Sequence, residues 1–293
     1  MSVTIREAYA RALVKYGAGD PRVVVLDADV SGSTRTVVFE SAAPERFFNV
    51  GIAEANMAAM AAGFAAVGKI PFANAFGVFI TSNGLLAATT FGSYAGLPVK
   101  YVGAYGGLSD SFDGPSHHSI QDIAIMRALP NFKVFVASDC VLADWLVKHA
   151  IADPSPMYLR MSREAFPQIY ADGEDFTCGQ GKVLREGRDA AVIACGLMTG
   201  HALRAAEMLR REGIDVQVVD LFTIKPIDRG LILRCAEETG CVVTAEEHTV
   251  IGGLGSAVAE VLSEEGECAR FGMVGICDCH AECGPYAQLQ EKY

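Results

Sequence analysis

The chain has 293 residues, 51% of them hydrophobic and 20% charged. That is enough apolar material for a substantial core in two domains of ordinary size, and it excludes intrinsic disorder. The formal net charge is −11 and neither half carries a basic run, so nucleic acids and anionic membrane surfaces are poor partners.

The longest apolar stretch, Met57 to Val67, spans 11 residues, against the roughly 20 that a membrane-crossing helix needs. The start MSVTIREAYARAL carries charges where a signal peptide would have its apolar core, so a soluble, cytoplasmic protein is expected. The nine cysteines then sit in a reducing compartment.

In chain order, Val23 to Leu26 reads as a buried strand, with Asp29 just past its end. Phe47 to Val50 is strand-like, and a glycine leads from it into Ile52 to Val67. That segment is nearly apolar on every face and predicts a helix buried all round. Its alanines and Gly63 would allow close approach of its own sheet and of a second subunit. Glu54, the one ionisable group inside it, stands at a strand-to-helix junction, where open α/β sheets place ligands. Surrounded by Ile52, Ala53 and Met57, its carboxyl is expected to lose hydration and to hold or share a proton near neutral pH. The alternative is a solvated acidic residue in a first helical turn, favoured on this feature alone because acidic residues are common at helix starts.

Val99 to Val102 reads as a strand leading through GAYGGLSDSF into Asp113-Gly-Pro-Ser-His117-His118, ahead of the helical pattern SIQDIAIMRAL. Such a loop could bind hydroxyls and move protons, or Ser116 or His117 could simply cap the next helix. After a strand at Val134 to Val136, the segment AFPQIYADGEDFTCGQG marks a boundary near 165 to 182. We divide the chain at 1–170 and 171–293. The second half alternates strands at Ala190 to Cys195, Val216 to Val219, Val242 to Ala245 and Met273 to Ile276 with helices at Thr199 to Arg211, Pro226 to Glu238 and Gly253 to Glu264. The fold class is therefore α/β with two parallel or mixed sheets.

Two further motifs are weak. HTVIGGLGSAV has Val258 where a dinucleotide fingerprint needs Gly or Ala, so it reads as a tight turn requiring small residues. Cys277-Asp-Cys279-His280-Ala-Glu-Cys283 lacks paired C-x-x-C spacing, so free thiols are expected there rather than a metal site.

Taken together, RFFNVGIAEANMAAMAAGFA, PFANAFGVFITS, DGPSHHSIQDIAIMRALPN, YLRMSRE and TAEEHTVIGGLGSAVAE resemble the transketolase family of thiamine-diphosphate enzymes. The match covers essentially the whole chain but only the second half of a full-length transketolase: a pyrimidine-binding domain followed by the carboxyl-terminal domain. The resemblance implies one subunit of a split enzyme that moves a two-carbon ketol unit from a ketose phosphate to an aldose. An amino-terminal partner subunit, in an α2β2 heterotetramer, would hold the cofactor's diphosphate and Mg²⁺ (or Ca²⁺).

The resemblance also implies residue roles. Glu54 would hydrogen-bond the aminopyrimidine and act as proton relay, Phe76 and Phe79 would enclose that ring, and Asp29 would lie near the cofactor. Asp113 and His117 would contact sugar hydroxyls, with His117 close to the reacting carbon. Arg6, Ser33 and Arg163 would bind the sugar phosphate. Two positions depart from the family: Ser82 falls where a third aromatic is usual, and Tyr105 where many members have a phosphate-facing histidine. Alternatives within the resemblance are a deoxyxylulose-phosphate-synthase-like enzyme, a 2-oxo acid dehydrogenase β subunit, or a noncatalytic paralogue.

Overall fold

The computed structural model describes residues 4–165 and 167–293. The strands are β1 Val23–Asp27, β2 Phe47–Asn49, β3 Ile70–Phe76, β4 Lys100–Ala104, β5 Lys133–Val136, β6 Met157–Arg160, β7 Lys182–Arg185, β8 Ala190–Ala194, β9 Val216–Asp220, β10 Thr223–Lys225, β11 Cys241–Thr249 and β12 Arg270–Ile276. They form a seven-stranded sheet in the order β10-β5-β6-β4-β3-β1-β2 and a five-stranded sheet in the order β12-β11-β8-β9-β7. The first is parallel except for β10 and the second except for β7. Both sheets are thus mixed, and the α/β class expected from the sequence holds. Among the described residues no helix is long and apolar enough to cross a membrane.

Burial on both faces explains the continuous apolar runs. In β1, Val24 and Leu26 pack with Met57, Ala58, Ala61 and Ala65 of the helix Glu54–Ala66. Val23 and Val25 point the other way, onto Ile5 and Tyr9 of the helix Ile5–Ala12 and Leu142 and Leu146 of the helix Cys140–Ala152. The cluster around Met57 continues through Val134 into Ile193, Val219 and Val242, so both sheets share one packed core. Strand β10 extends that continuity, because it leaves the second half of the chain to pair with β5 in the first sheet.

One expectation fails. The helix at Glu54–Ala66 is not buried all round: Ala55, Asn56, Ala59, Gly63 and Ala66 are exposed. It lies on one face of its sheet, and its outer side is open among the described residues. Its apolar composition reported that it packs, but without a polar stripe it could not report how many sides do.

The glycine-rich turn after β11 behaves as turn chemistry predicts. The buried Glu246 accepts hydrogen bonds from the backbone N–H of Leu254 (2.7 Å) and Gly255 (2.8 Å). A Cβ on Gly253 would stand 2.1 Å from Glu246 Oε2, so a side chain there would collide with the carboxylate. The helix Leu254–Glu264 therefore already has a carboxyl group at its start, its pKa pushed up to about 7 by burial, in the place a dinucleotide's phosphates would need.

Candidate active site

The carboxyl edge of β1, β2 and β3 gathers the candidate cofactor-side residues. Glu54 opens its helix and is 7% exposed, so the solvated alternative is not what the chain adopts. Its Oε2 accepts a hydrogen bond from Asn83 Nδ2 at 3.2 Å. Asn83 follows the short helix Gly77–Ser82, which Phe76 leads into from β3. Phe76 and Phe79 are half-buried, with ring centroids 6.0 Å apart. Ser82 is exposed, and its hydroxyl donates back to the Val78 carbonyl at 2.6 Å, so that position adds no wall. A partly desolvated carboxylate beside an apolar aromatic wall suits a flat heterocycle bearing N–H groups, which is the chemistry of an aminopyrimidine.

The loop after β4 completes the site from the other side. The His117 ring meets Phe79 edge-on at 5.1 Å and Phe76 at 6.0 Å. The Ser116 hydroxyl lies 3.0 Å from His117 Nδ1. Neither residue caps the next helix, Asp122–Ala128, which has Gln121 at its start and no side-chain cap. Asp113 is exposed on the same loop.

Tyr105 is the centre of a second group. It directly follows β4 with φ at 59°, a left-handed conformation that costs a non-glycine residue of order 1 kcal/mol or more. Phe76 meets its ring edge-on at 4.6 Å, and the guanidinium groups of Arg6 and Arg163 lie over it at 5.3 and 5.2 Å from its centroid. Arg6 Nη1 donates to the Tyr105 hydroxyl at 2.5 Å and to the Ser33 carbonyl at 2.9 Å. Ser33 thus enters through its backbone.

Sequence reasoning missed Asn83, Arg35 and Asp110. Arg35 Nη2 pairs with Glu7 at 3.7 Å. The Thr4 N–H bonded to Glu7, together with Arg35 and Arg6, holds that carboxyl below its ordinary value against the opposing effect of burial. Asp110, 1% exposed, pairs with Arg163 Nη1 at 3.1 Å. Burial first, and then the neighbouring Asp113, hold the Asp110 carboxyl above its ordinary value against the pull of Arg163 and His117. No signal in the loop GAYGGLSDSF marked that contact.

Asp29 follows the carboxyl end of β1. It is exposed, with φ at 66°, and accepts from Asn49 Nδ2 at 2.9 Å. The carboxyl-terminal Cys277, Cys279 and Cys283 are free and exposed. Among the described residues no group of three or more His, Cys, Asp or Glu side chains could hold a metal ion.

Two family models match the chain, "Transketolase, pyrimidine binding domain" over residues 1–168 and "Transketolase, C-terminal domain" over residues 179–293. A solved structure described as "Split gene transketolase, inactive beta4 tetramer" superposes with a TM-score of 0.90 at 46% identity, covering 100% of this chain and 94% of that one. The 6-deoxy-6-sulfo-D-fructose transketolase subunit SqwH of Clostridium sp. (strain MSTE9) is 40% identical over 290 residues, 99% of this chain and 89% of that protein. An apulose-4-phosphate transketolase subunit from Phocaeicola vulgatus (strain ATCC 8482) is 34% identical over 277 residues, 94% of this chain and 88% of that protein. The chain belongs to the transketolase family and carries its pyrimidine-binding and carboxyl-terminal domains.

Proposed function

We propose that this chain is the carboxyl-terminal subunit of a two-chain transketolase that moves a ketol unit from a ketose phosphate, or a ketose with another anionic terminus, to an aldose. The observation that carries the reading is one unbroken line of contacts. It runs from Glu54 through Asn83 and the helix bearing Phe79 to His117, and through Phe76 to Tyr105 and its two arginines. A proton-handling carboxylate at one end and an anion-binding group at the other span the needs of a phosphosugar reacting on a cofactor.

Bound thiamine diphosphate would supply the nucleophilic carbon and electron sink for breaking and making the carbon–carbon bond. This chain's residues do the rest on their side. Glu54 holds and returns the pyrimidine's proton, Phe76 and Phe79 wall off water from that ring, and Asp29 borders the cofactor. Asp113 and His117 orient the hydroxyls next to the reacting carbon. Arg6, the Ser33 backbone, Arg163 and Tyr105 hold the anionic end.

The diphosphate and its Mg²⁺ or Ca²⁺ belong on this reading to an amino-terminal subunit, in an α2β2 assembly. Two relatives are named as subunits and a structural neighbour made of β chains alone is described as inactive, which supports this division of labour. On this reading the subunit works in the cytoplasm, where its nine cysteines meet a reducing environment.

The test is reconstitution. The purified chain alone should show no ketol transfer and bind thiamine diphosphate weakly, and adding the amino-terminal subunit should restore both. Assays with xylulose phosphate plus ribose phosphate, against pyruvate plus an aldehyde or lipoyl acceptor, separate this reaction from those of the synthase and dehydrogenase relatives. Turnover by the homogeneous chain at the rate of the complex would overturn the split-enzyme reading.

A second expectation concerns the anionic end. Arg163→Ala should raise KM for an anionic sugar far more than for its uncharged analogue, since only the former loses a charge-assisted contact worth roughly 1.5 to 3 kcal/mol. Tyr105→His should shift preference toward the common pentose phosphates. Equal effects of Arg163→Ala on both sugars would place that arginine in structure rather than recognition.

A further inference from the structure

We propose that Asp110 sets the charge of the anion-binding end, so that the sugar it takes ends in a monoanion, of which a sulfonate is the type, in preference to a phosphate dianion. This rests on the reading above that Arg6, Tyr105 and Arg163 hold the sugar's anionic terminus, and it adds what the terminus is.

Of the three guanidinium groups gathered there, Arg163 is paired with Asp110 at 3.1 Å and Arg35 with Glu7 at 3.7 Å. Arg6 has neutral partners, the Ser33 carbonyl and the Tyr105 hydroxyl. One positive charge is left for a ligand. Asp113, exposed on the adjoining loop, can only reduce it.

Burial makes the Asp110 pairing count. Asp110 is 1% exposed and the Arg163 side chain 39%, so water screens the pair only from the arginine's side and Arg163 is largely compensated before any ligand arrives. The remaining donors suit a weakly charged tetrahedral group. Arg6 Nε is buried without a protein partner. The Tyr105 hydroxyl accepts from Arg6, which leaves its own proton for a ligand oxygen.

A phosphate monoester has its second pKa near about 6 and is mostly a dianion at neutral pH. Bringing two negative charges to one uncompensated guanidinium strands a charge out of water, whereas a sulfonate, with a single charge and three acceptor oxygens, is matched.

The experiment measures equilibrium binding to the assembled two-chain complex by calorimetry, using two sugar alcohols that cannot react: sorbitol 6-phosphate and the analogue with a sulfonate in place of the phosphate ester. The sulfonate should bind at least about tenfold more tightly. Asp110→Asn keeps the side chain's shape and frees the Arg163 charge, so it should tighten phosphate about tenfold or more and leave sulfonate within a few-fold. Equal or tighter phosphate binding by the natural complex, no binding of either, or an unchanged ratio in Asp110→Asn would each overturn the proposal. Ketol transfer is assayed separately. A complex that discriminates as expected but transfers nothing would fail as a transketolase while keeping this charge assignment.

Discussion

Glu54→Gln is expected to lower kcat of the reconstituted enzyme by about 10²- to 10⁴-fold, the usual contribution of a general acid–base group, while leaving folding and assembly intact. Glutamine fills the same 7%-exposed site at the start of the helix Glu54–Ala66 and can still accept from Asn83 Nδ2 through its carbonyl. What it cannot do is take up and return a proton. The direct readout is exchange of the C2 proton of bound thiamine diphosphate, followed by NMR in deuterated water, which should slow along with kcat. Unchanged exchange in a variant complex that binds the cofactor normally would remove Glu54 from the mechanism.

The route from sequence to this site was uneven, for physical reasons. Strands buried on both faces need unbroken apolar runs, so Val23 to Leu26, Val134 to Val136 and Val242 to Ala245 were legible and fall inside β1, β5 and β11. Strand β10 was not. It is three residues long, and its partner β5 lies some ninety positions earlier in the chain, a relation no local period can carry. The site residues were legible as motif members, through resemblance, but their contacts were not. Nothing in a Gly- and Ser-rich loop says that Asp110 reaches Arg163, 53 residues on, or that Asn83 turns back to Glu54. Tyr105 stood out only as a departure. Its placement under two guanidinium groups is a product of the turn after β4, the first helix and the segment after β6, which meet only in the folded chain.

Arg160→Met should be the most damaging change away from the reacting groups, costing about 3–5 kcal/mol of stability, because it strips a buried carboxylate of its counter-charge. Arg160 ends β6 at 5% exposure. Its Nε donates to Asp122 Oδ2 at 2.7 Å, and its Nη2 donates to the Ser119 carbonyl at 2.8 Å and, across to β11, to the Glu247 carbonyl at 2.9 Å. Burial drives the Asp122 carboxyl up, and the Arg160 charge, His248 and the hydrogen bonds from Arg160 and Tyr158 together more than offset it, so that Asp122 sits below its ordinary value. A depressed carboxyl stabilises the fold above its unfolded pKa, and that contribution is lost as pH falls through the folded value. Methionine keeps the aliphatic length but reverses the sign at Asp122, whose folded pKa then rises and whose penalty is relieved by protonation. The deficit, measured by urea denaturation, should therefore be largest at neutral and higher pH and shrink toward acid. Arg160→Met combined with Asp122→Asn should recover part of it, since the bare charge at Asp122 is gone while Glu246 and Glu247, which Arg160 also holds down, remain. Because Ser119 follows the His117–His118 pair directly, the single variant should also raise KM for the sugar more than it lowers kcat. A small deficit that does not vary with pH would mean that the pair is not what holds this loop between the two sheets.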